Sequence, residues 1–286
     1  MTSEVNGMAL PNFICIGAQK AGTSWLYQML IQHPDLWLPP LKELHFFDRN
    51  AASESSKEVV RKLVAKAKRK YLSRADQSFD QAKPYWTYLD SIAAEDMLTE
   101  TWYKRIFDYP GASSKITGEI TPAYLDMRKK KLAYAMDFLP KETKFIAIVR
   151  EPLARALSQI RMWAETKKVT PATEQDWQVF IDHLTKVTRG NYMKSIPMWN
   201  TKAGKHRILY LPFSDVRDRP QELLGAVEDF IGASHYDGYK EIDEQVHTTK
   251  KIAIPEWVTK KVEADIQPQR RFLINTFGNE FYEKTK

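Results

Sequence analysis

Two glycines separated by four residues bracket the segment whose residue types point most directly to chemistry. Gly17 and Gly22, in FICIGAQKAGTSWL (residues 13–26), have the spacing of a nucleotide phosphate-binding loop, in which Lys and Ser or Thr follow the second glycine. Here Thr-Ser follows it, and the only lysine of the segment, Lys20, lies inside the loop. Glycines after a buried strand let backbone N–H groups converge on an anion at a helix N-terminus. The segment therefore predicts a phosphate-like ligand.

A second segment, KFIAIVREPLARALS, bears on whether such a site would need a metal ion. In an NTPase the matching strand ends in an Asp that completes the Mg²⁺ site. Here the apolar run 144–149 ends at Arg150, whose guanidinium would repel a metal ion and bind a second phosphate through paired hydrogen bonds. The two segments together predict metal-free recognition of two separated anionic groups.

Four apolar runs among helical patterns supply the elements that would position these residues. The runs lie at 13–17, 144–149 and 207–211, with a weaker one at 115–118. Alternating strands and helices predict an α/β protein with a P-loop-like, three-layer fold: a central parallel sheet flanked by helices. The 286 residues contain no repeat and no long linker, so we expect one domain over residues 1–286.

Composition narrows the class of protein and the kinds of partner. No apolar run is long enough to span a bilayer and the N-terminus lacks a signal sequence, so we expect a cytoplasmic protein without a membrane span. The single Cys15 lies in an apolar run, which predicts a buried, unreactive thiol. A net charge of +7 favours anionic partners, but the basic segment 57–74 has helical spacing of its apolar residues. We interpret that segment as an amphipathic helix with a solvated basic face, and nucleic acid is not the expected partner.

The phosphate segment and the arginine segment together resemble the sulfotransferases that use 3′-phosphoadenosine 5′-phosphosulfate, whose P-loop-like fold works without magnesium. GAQKAGTSWL is similar to the 5′-phosphosulfate loop of that family, and VREPLARALS to its 3′-phosphate motif. The resemblance covers most of residues 13–232 and implies this donor, the product adenosine 3′,5′-bisphosphate, and no metal. The residues that it assigns to donor binding are Lys20, Ala21, Gly22, Thr23, Ser24, Trp25, Arg150, Ser158, Lys250 and Lys251.

The segment PPLKELHFFD (residues 39–48) is similar to the heparan sulfate-type glycan sulfotransferases and their bacterial relatives, in which its carboxylate is the general base. By this resemblance Glu43 takes the proton of an acceptor hydroxyl or amine as it attacks sulfur, and Lys20 neutralises charge on the bridging oxygen. His45 is a rival base, since an extended segment would put it on the strand face of Glu43. The alternatives are a surface Glu43 paired with Lys42, and a His45 that is only packed in the core.

Several of the assigned residues keep a structural alternative. Trp25 either stacks on adenine, as in the cytosolic small-molecule sulfotransferases, or packs in the core. Thr23 and Ser24 are also suited to cap the helix that follows the loop. Ser158 either faces the same ligand as Arg150 or lies on a helix surface, and Lys250 and Lys251 occupy the place of a donor-closing loop without its glycine. The aromatic residues that would stack on sugars or belong to the core are Tyr124, Tyr192, Trp199 and Trp163.

Taken together, the sequence predicts an enzyme that transfers a sulfuryl group to a hydroxyl, with an amine as the second choice, of a carbohydrate or glycolipid. A small alcohol or phenol is the alternative acceptor. A P-loop kinase or NTPase is the alternative in another enzyme class, against which Arg150 argues because it would repel the metal. A basic nucleic-acid-binding protein is the alternative outside enzymes, and it would need neither Lys20 nor Arg150.

Overall fold

A central parallel sheet organises the protein in a computed structural model that describes residues 10–49, 53–72, 79–94, 96–109, 111–186, 190–244 and 252–286. Over these residues the sheet has five strands in the order β2-β3-β1-β4-β5, and every neighbouring pair is parallel. The strands are β1 Phe13–Gly17, β2 Leu36–Trp37, β3 Ile116–Ile120, β4 Lys144–Val149 and β5 Ile208–Pro212.

The strands at the middle of the sheet have continuously apolar sequences because they are buried on both faces. All five residues of β1 are buried, as are the last five of β4, because helices cover a parallel sheet on both faces. Phe13 lies opposite Gly118 on β3 and Lys144 on β4. A Cβ atom at residue 118 would lie 2.2 Å from the Phe13 ring, so that position requires glycine.

Helices fill most of the chain between the strands. Those in the described residues are α1 Thr23–Leu30, α2 Glu54–Leu72, α3 Phe79–Ile92, α4 Glu100–Phe107, α5 Lys129–Phe138, α6 Pro152–Lys167, α7 Glu174–Lys186, α8 Tyr192–Ala203, α9 Asp215–Asp218, α10 Pro220–Ile231, α11 Glu256–Phe277 and α12 Asn279–Glu283. A 3₁₀ helix, Pro122–Asp126, follows β3 directly. The α/β fold with a central parallel sheet flanked by helices is therefore confirmed.

The predicted strands agree with the observed ones except at the edge of the sheet. The apolar runs become β1, β4 and β5, the weak run becomes β3 with a shift of one to two residues, and the two-residue β2 was not predicted. The basic segment forms α2, whose Val60, Val64 and Ala67 are buried. Cys15 is buried, and this burial raises the pKa of its thiol to about 12. Among the helices in these ranges, none combines the length and hydropathy that a bilayer crossing requires.

The carboxyl ends of β1, β3 and β4 lie at one edge of the sheet, where ligands bind in open parallel sheets. The phosphate loop, residues 17–22, follows β1, and Arg150 follows β4. A third segment, residues 42–48, reaches the same edge because the backbone N–H of Glu43 donates to the carbonyl of Ile120 at the end of β3, at 3.1 Å. We call this segment the carboxylate loop.

Candidate active site

The phosphate loop ends at a glycine that caps α1. Gly22 has φ +81° and is the N-cap of the helix, and no side chain caps it. The interpretation of Thr23 and Ser24 as N-cap residues is therefore wrong, because the left-handed turn at Gly22 starts the helix one residue earlier. Thr23 and Ser24 lie in the first turn of the helix, where backbone N–H groups have no intrahelical acceptor and the helix dipole is positive.

Arg150 links the end of β4 to the phosphate loop. Its Nη1 donates to the carbonyl oxygen of Lys20 at 2.8 Å, and its guanidinium lies over the ring of Phe213 at 4.3 Å from the centroid. Its Nε is buried and has no hydrogen-bond partner among the described residues. A buried donor of this kind costs free energy unless an acceptor reaches it, so this donor is suited to an anionic ligand.

The charges around Lys20 point the same way. Burial and the neighbouring charge of Arg150 lower the pKa of Lys20, while Glu165 on α6 opposes this effect. Burial likewise lowers the pKa of Arg150. The two desolvated cations repel each other, and negative charge bound beside them relieves the repulsion. These residues fit a donor that carries two separated phosphate groups.

The other predicted donor residues lie in different surroundings. Ala21 is buried and its N–H donates to the carbonyl of Ala18 at 3.1 Å. Ser158 is buried on α6. Trp25 is only 3% exposed, and its Nε1 donates to the carbonyl of Ile242 at 2.8 Å. Lys250 and Lys251 lie outside the described residues.

The carboxylate loop brings Glu43 between two cationic side chains. Lys42 Nζ lies 2.8 Å from Glu43 Oε1, and His45 Nε2 lies 3.5 Å from Glu43 Oε2. Burial by itself would raise the pKa of Glu43, but the hydrogen bond from His45 and the charge of Lys42 outweigh it and hold that pKa well below its usual range. Glu43 is therefore ionised throughout the physiological pH range, and the predicted pairing with Lys42 is present.

The loop is not the extended segment that the sequence analysis considered for His45. Glu43 has φ +68° and His45 has φ +56°, both in the left-handed region. The two side chains meet through this turn, not through a shared strand face. The turn forms because its backbone is held from outside: the carbonyl of Ile120 accepts the Glu43 N–H, and the Tyr124 hydroxyl accepts the Phe46 N–H at 3.0 Å.

Asp48 completes the polar cluster, and the sequence analysis gave it no role. His45 Nδ1 lies 3.0 and 2.9 Å from the two carboxylate oxygens of Asp48. Burial opposes the charged imidazolium, but the hydrogen bonds to Asp48 and Glu43 outweigh burial and raise the pKa of His45. The sequence signal was the Asp three residues after the His in the same motif. Lys131 on α5 fixes the end of the loop by donating to the carbonyls of Asp48 at 2.8 Å and Arg49 at 2.9 Å.

Glu119 is a second carboxylate that the sequence analysis did not single out. It lies on β3 and is 1% exposed, and the hydroxyls of Tyr103 and Thr121 donate to its two oxygens at 2.5 and 2.8 Å. Burial, partly offset by these hydroxyls, raises the pKa of Glu119 to about 7. Its place in the sequence assigned it no role, because only the fold reveals that it lies behind the carboxylate loop.

The predicted sugar-stacking residues are mostly core residues. Tyr124, Tyr192 and Trp199 are at most 1% exposed, so that interpretation of them is wrong. Trp163 is half-buried against the ring of His183. A cavity of about 260 Å³ instead presents aromatic rings at the edge of the sheet beside β2. Its lining is Tyr27, Ile31, Trp37, Leu38, Pro40, Ala67, Lys70, Tyr71, Tyr85, Tyr88 and Tyr109.

Comparison with known proteins gives a family match over most of the chain. The sequence profile described as "Sulfotransferase family" matches residues 11–237. Human heparan sulfate glucosamine 3-O-sulfotransferase 3B1 is 24% identical over 229 residues, which cover 78% of this chain and 46% of that protein. The membrane-associated sulfotransferase kil1 of Dictyostelium discoideum is 26% identical over 169 residues, covering 57% and 26%. The chain thus spans about half the length of the first of these relatives and less of the second.

Solved structures share the fold. A sulfotransferase from Alicyclobacillus acidocaldarius superposes with a TM-score of 0.62 at 21% identity, covering 93% of this chain and 95% of that one. The sulfotransferase domain of the Synechococcus PCC 7002 olefin synthase gives a TM-score of 0.54 at 15% identity, covering 93% and 97%. At this level of identity the likeness concerns the fold.

Proposed function

The chain belongs to the sulfotransferase family, and from this premise we propose that it transfers the sulfuryl group of 3′-phosphoadenosine 5′-phosphosulfate to a hydroxyl of a carbohydrate or glycolipid, with an amine as the second choice of acceptor group. The observation that carries the proposal is the pair Lys20 and Arg150, two desolvated cations. The Arg150 Nη1 donates to the backbone carbonyl of Lys20 at 2.8 Å, and the Arg150 Nε has no partner in the part of the chain that the structure describes. The bound donor supplies an activated sulfuryl group and leaves as adenosine 3′,5′-bisphosphate. Catalysis without a metal ion is part of this proposal.

The donor would bind along the sheet edge between the phosphate loop and α6. The backbone N–H groups from Gly22 to Ser24 are suited to the 5′-phosphosulfate because they open a helix of eight residues with no acidic residue in its first turn. Arg150 and Ser158 would bind the 3′-phosphate. Ala21 would shape the loop, and Lys250 and Lys251 would close over the donor. Trp25 is buried in the core with its Nε1 bound to the Ile242 carbonyl, so it would support the loop and not stack on adenine.

Lys20 would stabilise the leaving group. Its pKa is lowered by burial and by Arg150, so its positive charge is poorly neutralised before the donor arrives. Charge that develops on the bridging oxygen during transfer meets this ammonium in a desolvated site, where electrostatic stabilisation is strongest.

Glu43 would be the general base, and the charge state of His45 supports this choice. Each ring nitrogen of His45 faces a carboxylate, Nδ1 that of Asp48 and Nε2 that of Glu43, and against the effect of burial these contacts raise the pKa of His45. They favour a proton on both nitrogens, a state in which the ring has no lone pair with which to accept another. The Glu43 carboxylate is ionised, so it can take the acceptor proton on Oε. Its low pKa makes it a weak base until the contact with Lys42 loosens, and we propose that acceptor binding displaces Lys42 from Oε1.

A carbohydrate acceptor is favoured over a small alcohol or phenol. The named substrate of the human relative, heparan sulfate glucosamine, is a carbohydrate. The cavity of about 260 Å³ includes Pro40, three residues before Glu43. Three extended residues span at most about 11 Å, so a multi-ring acceptor could occupy the cavity while its hydroxyl reaches Glu43. Aromatic rings and one lysine suit the faces of sugar rings that carry a polar group.

The cytoplasmic location stays a prediction.

An acceptor screen tests the proposal. Purified protein is incubated with the donor, excess EDTA and, in parallel, heparan-type oligosaccharides, glycolipids, and small phenols and alcohols, and released adenosine 3′,5′-bisphosphate is measured. We expect release with a carbohydrate and none with Glu43→Gln. Release only with phenols or alcohols would replace the carbohydrate acceptor with the alternative. A strict magnesium requirement would contradict metal-free transfer.

A further inference from the structure

The geometry points to Glu119 as a positioning residue that, acting through Tyr124, holds the carboxylate loop in the conformation that presents Glu43. We propose this role on the basis of the function proposed above, since it gives Glu43 its task. Neither Glu119 nor Tyr124 would touch donor or acceptor, because both are at most 1% exposed.

The buried carboxylate of Glu119 is held by hydroxyl groups. Its carboxylate accepts from the Tyr103 hydroxyl at 2.5 Å on one oxygen and from the Thr121 hydroxyl at 2.8 Å on the other. The hydroxyl of Tyr124 also faces this carboxylate. A buried ionised carboxylate is acceptor-only, so the hydroxyls around it must all turn their protons toward it.

The hydroxyl oxygen of Tyr124 also contacts the backbone of the carboxylate loop. Its oxygen accepts the backbone N–H of Phe46 at 3.0 Å, with the N–H of Phe47 at 3.5 Å. An oxygen that accepts from the loop keeps its own proton free to donate to Glu119. Tyr124 therefore relays between a fixed carboxylate on β3 and the backbone of the carboxylate loop.

The backbone conformation of the carboxylate loop has to be held by contacts from outside the loop. Glu43 and His45 both have positive φ, which is strained for a non-glycine residue and persists only where surrounding contacts impose it. The contacts that impose it on this loop come from β3 and the residues just after it: the Ile120 carbonyl on Glu43 and the Tyr124 hydroxyl on Phe46. Glu119 precedes Ile120 in the strand and faces the Tyr124 hydroxyl, so it lies beside both contacts.

Protonation of Glu119 would weaken this support. A neutral carboxyl group has its own proton to donate, and it competes for the Tyr124 oxygen that now accepts from Phe46. The groups that face Glu119 are the hydroxyls of Tyr103, Thr121 and Tyr124 and the charge of His45, and the charge of Asp48 faces Tyr124. Because the pKa of Glu119 is about 7, the ionised form that fits the observed hydrogen bonds is the one present above neutral pH.

We call the contacts from Glu119 through Tyr124 to the Phe46 N–H the brace. Backbone amide exchange tests the brace without any sulfuryl acceptor. Tyr124→Phe removes the hydroxyl between Glu119 and Phe46, and Glu119→Gln removes the charge that orients it. Tyr103→Phe is the matched control: it removes a hydroxyl from the same carboxylate and keeps the ring stacked on Phe46 at 4.4 Å, but within the described ranges that hydroxyl binds Glu119 and not the loop backbone. Exchange of the Phe46 N–H is measured by NMR relative to that of Ile146 on β4, which corrects for changes in global stability.

We expect Phe46 exchange to be about tenfold faster or more in Tyr124→Phe and Glu119→Gln, as loss of about one hydrogen bond implies, and near wild type in Tyr103→Phe. The wild-type Phe46 amide shift should follow a titration that is absent in Glu119→Gln, where His45 remains. Equal exchange in Tyr124→Phe and Tyr103→Phe, or an unchanged titration in Glu119→Gln, would overturn the brace.

Turnover then tests whether the brace serves catalysis. With an acceptor from the screen, kcat should fall about tenfold or more in Tyr124→Phe and Glu119→Gln at unchanged affinity for adenosine 3′,5′-bisphosphate, and Tyr103→Phe should match wild type. Wild-type kcat in Tyr124→Phe would overturn the positioning role. A wild-type protein that transfers no sulfuryl group would contradict the proposed function, while the exchange data would still decide whether the brace exists.

Discussion

At the scale of single residues, Glu43 lies between two basic neighbours, Lys42 and His45, in the carboxylate loop. These contacts keep it ionised and give His45 the role of a charged partner, since Asp48 also holds the imidazolium. The sequence motif pointed to Glu43 through the resemblance, but its charge state follows from contacts that only the folded loop creates.

Replacement of this carboxylate tests its role as the base. Glu43→Gln keeps the size of the side chain and removes its ability to take a proton, so turnover should fall about 10²- to 10⁴-fold. Donor affinity, measured by calorimetry, should stay within about twofold of wild type because Arg150 and Lys20 are intact. Glu100→Gln, at an exposed carboxylate that pairs with Tyr134, is the control and should keep full turnover. Full turnover in Glu43→Gln would end the assignment.

Lys42 should be one of the two residues, after His45, that hold the pKa of Glu43 low before the acceptor binds. Lys42→Met removes a cation 2.8 Å from Oε1, so the pKa of Glu43 should rise by about one unit or more. The carboxyl carbon of Glu43, followed by NMR during an acid titration, reports this directly. Lys62→Met, at a side chain that is 74% exposed on α2, should leave the titration unchanged. The same curve in Lys42→Met and wild type would mean that the contact does not govern the charge of Glu43.

At the scale of elements, the turn from β1 into α1 depends on a left-handed glycine. Gly22→Ala would place a Cβ 3.1 Å from Val216 at φ +81°, whereas Gly232→Ala, after α10, has φ +83° and nothing within 4 Å. Both should lose about 1–2 kcal/mol of unfolding free energy from the backbone conformation. Only Gly22→Ala should also weaken binding of adenosine 3′,5′-bisphosphate, by about tenfold or more. Equal affinities in the two variants would separate Gly22 from the donor site.

Some of the strands and loops could be predicted from the sequence, and others could not. The central strands were predictable because burial on both faces demands continuous apolar runs. The positions of Gly22 and Arg150 beyond the carboxyl ends of strands were predictable because a glycine loop and an arginine follow such runs in the sequence. The edge strand β2 was missed because two residues carry no periodicity. The segment of the carboxylate loop was identified from the sequence, but its conformation was not, because positive φ at Glu43 and His45 is held by β3 and Tyr124, over 70 residues away in the chain.

At the scale of the whole molecule, two buried groups tie stability to pH in the same direction. Glu119 has a pKa raised to about 7, so the native state holds a proton that the unfolded state releases, and stability falls as pH rises from about 4.5 to 7. His45 has a raised pKa, so its contribution is complete below about 6.5 and is lost as pH rises through its native value.

Thermal unfolding at pH 5 and pH 8 checks this linkage. The wild-type protein should melt at a lower temperature at pH 8, and Glu119→Gln should lose part of the difference, at most about 3 kcal/mol in unfolding free energy. The control Glu58→Gln, at a side chain that is 49% exposed, should keep the wild-type difference. A Glu119→Gln protein with the full wild-type difference would show that Glu119 is ionised in both states.

The donor site is the central claim, and calorimetric titration with adenosine 3′,5′-bisphosphate in EDTA tests it most directly. The wild-type protein should bind this ligand without metal and in preference to ADP with magnesium. Arg150→Ala should weaken binding by about 2 kcal/mol, or roughly 30-fold, and Arg61→Ala on the exposed face of α2 should not. Preference for ADP with magnesium, or equal affinity of wild type and Arg150→Ala for the bisphosphate, would contradict the account.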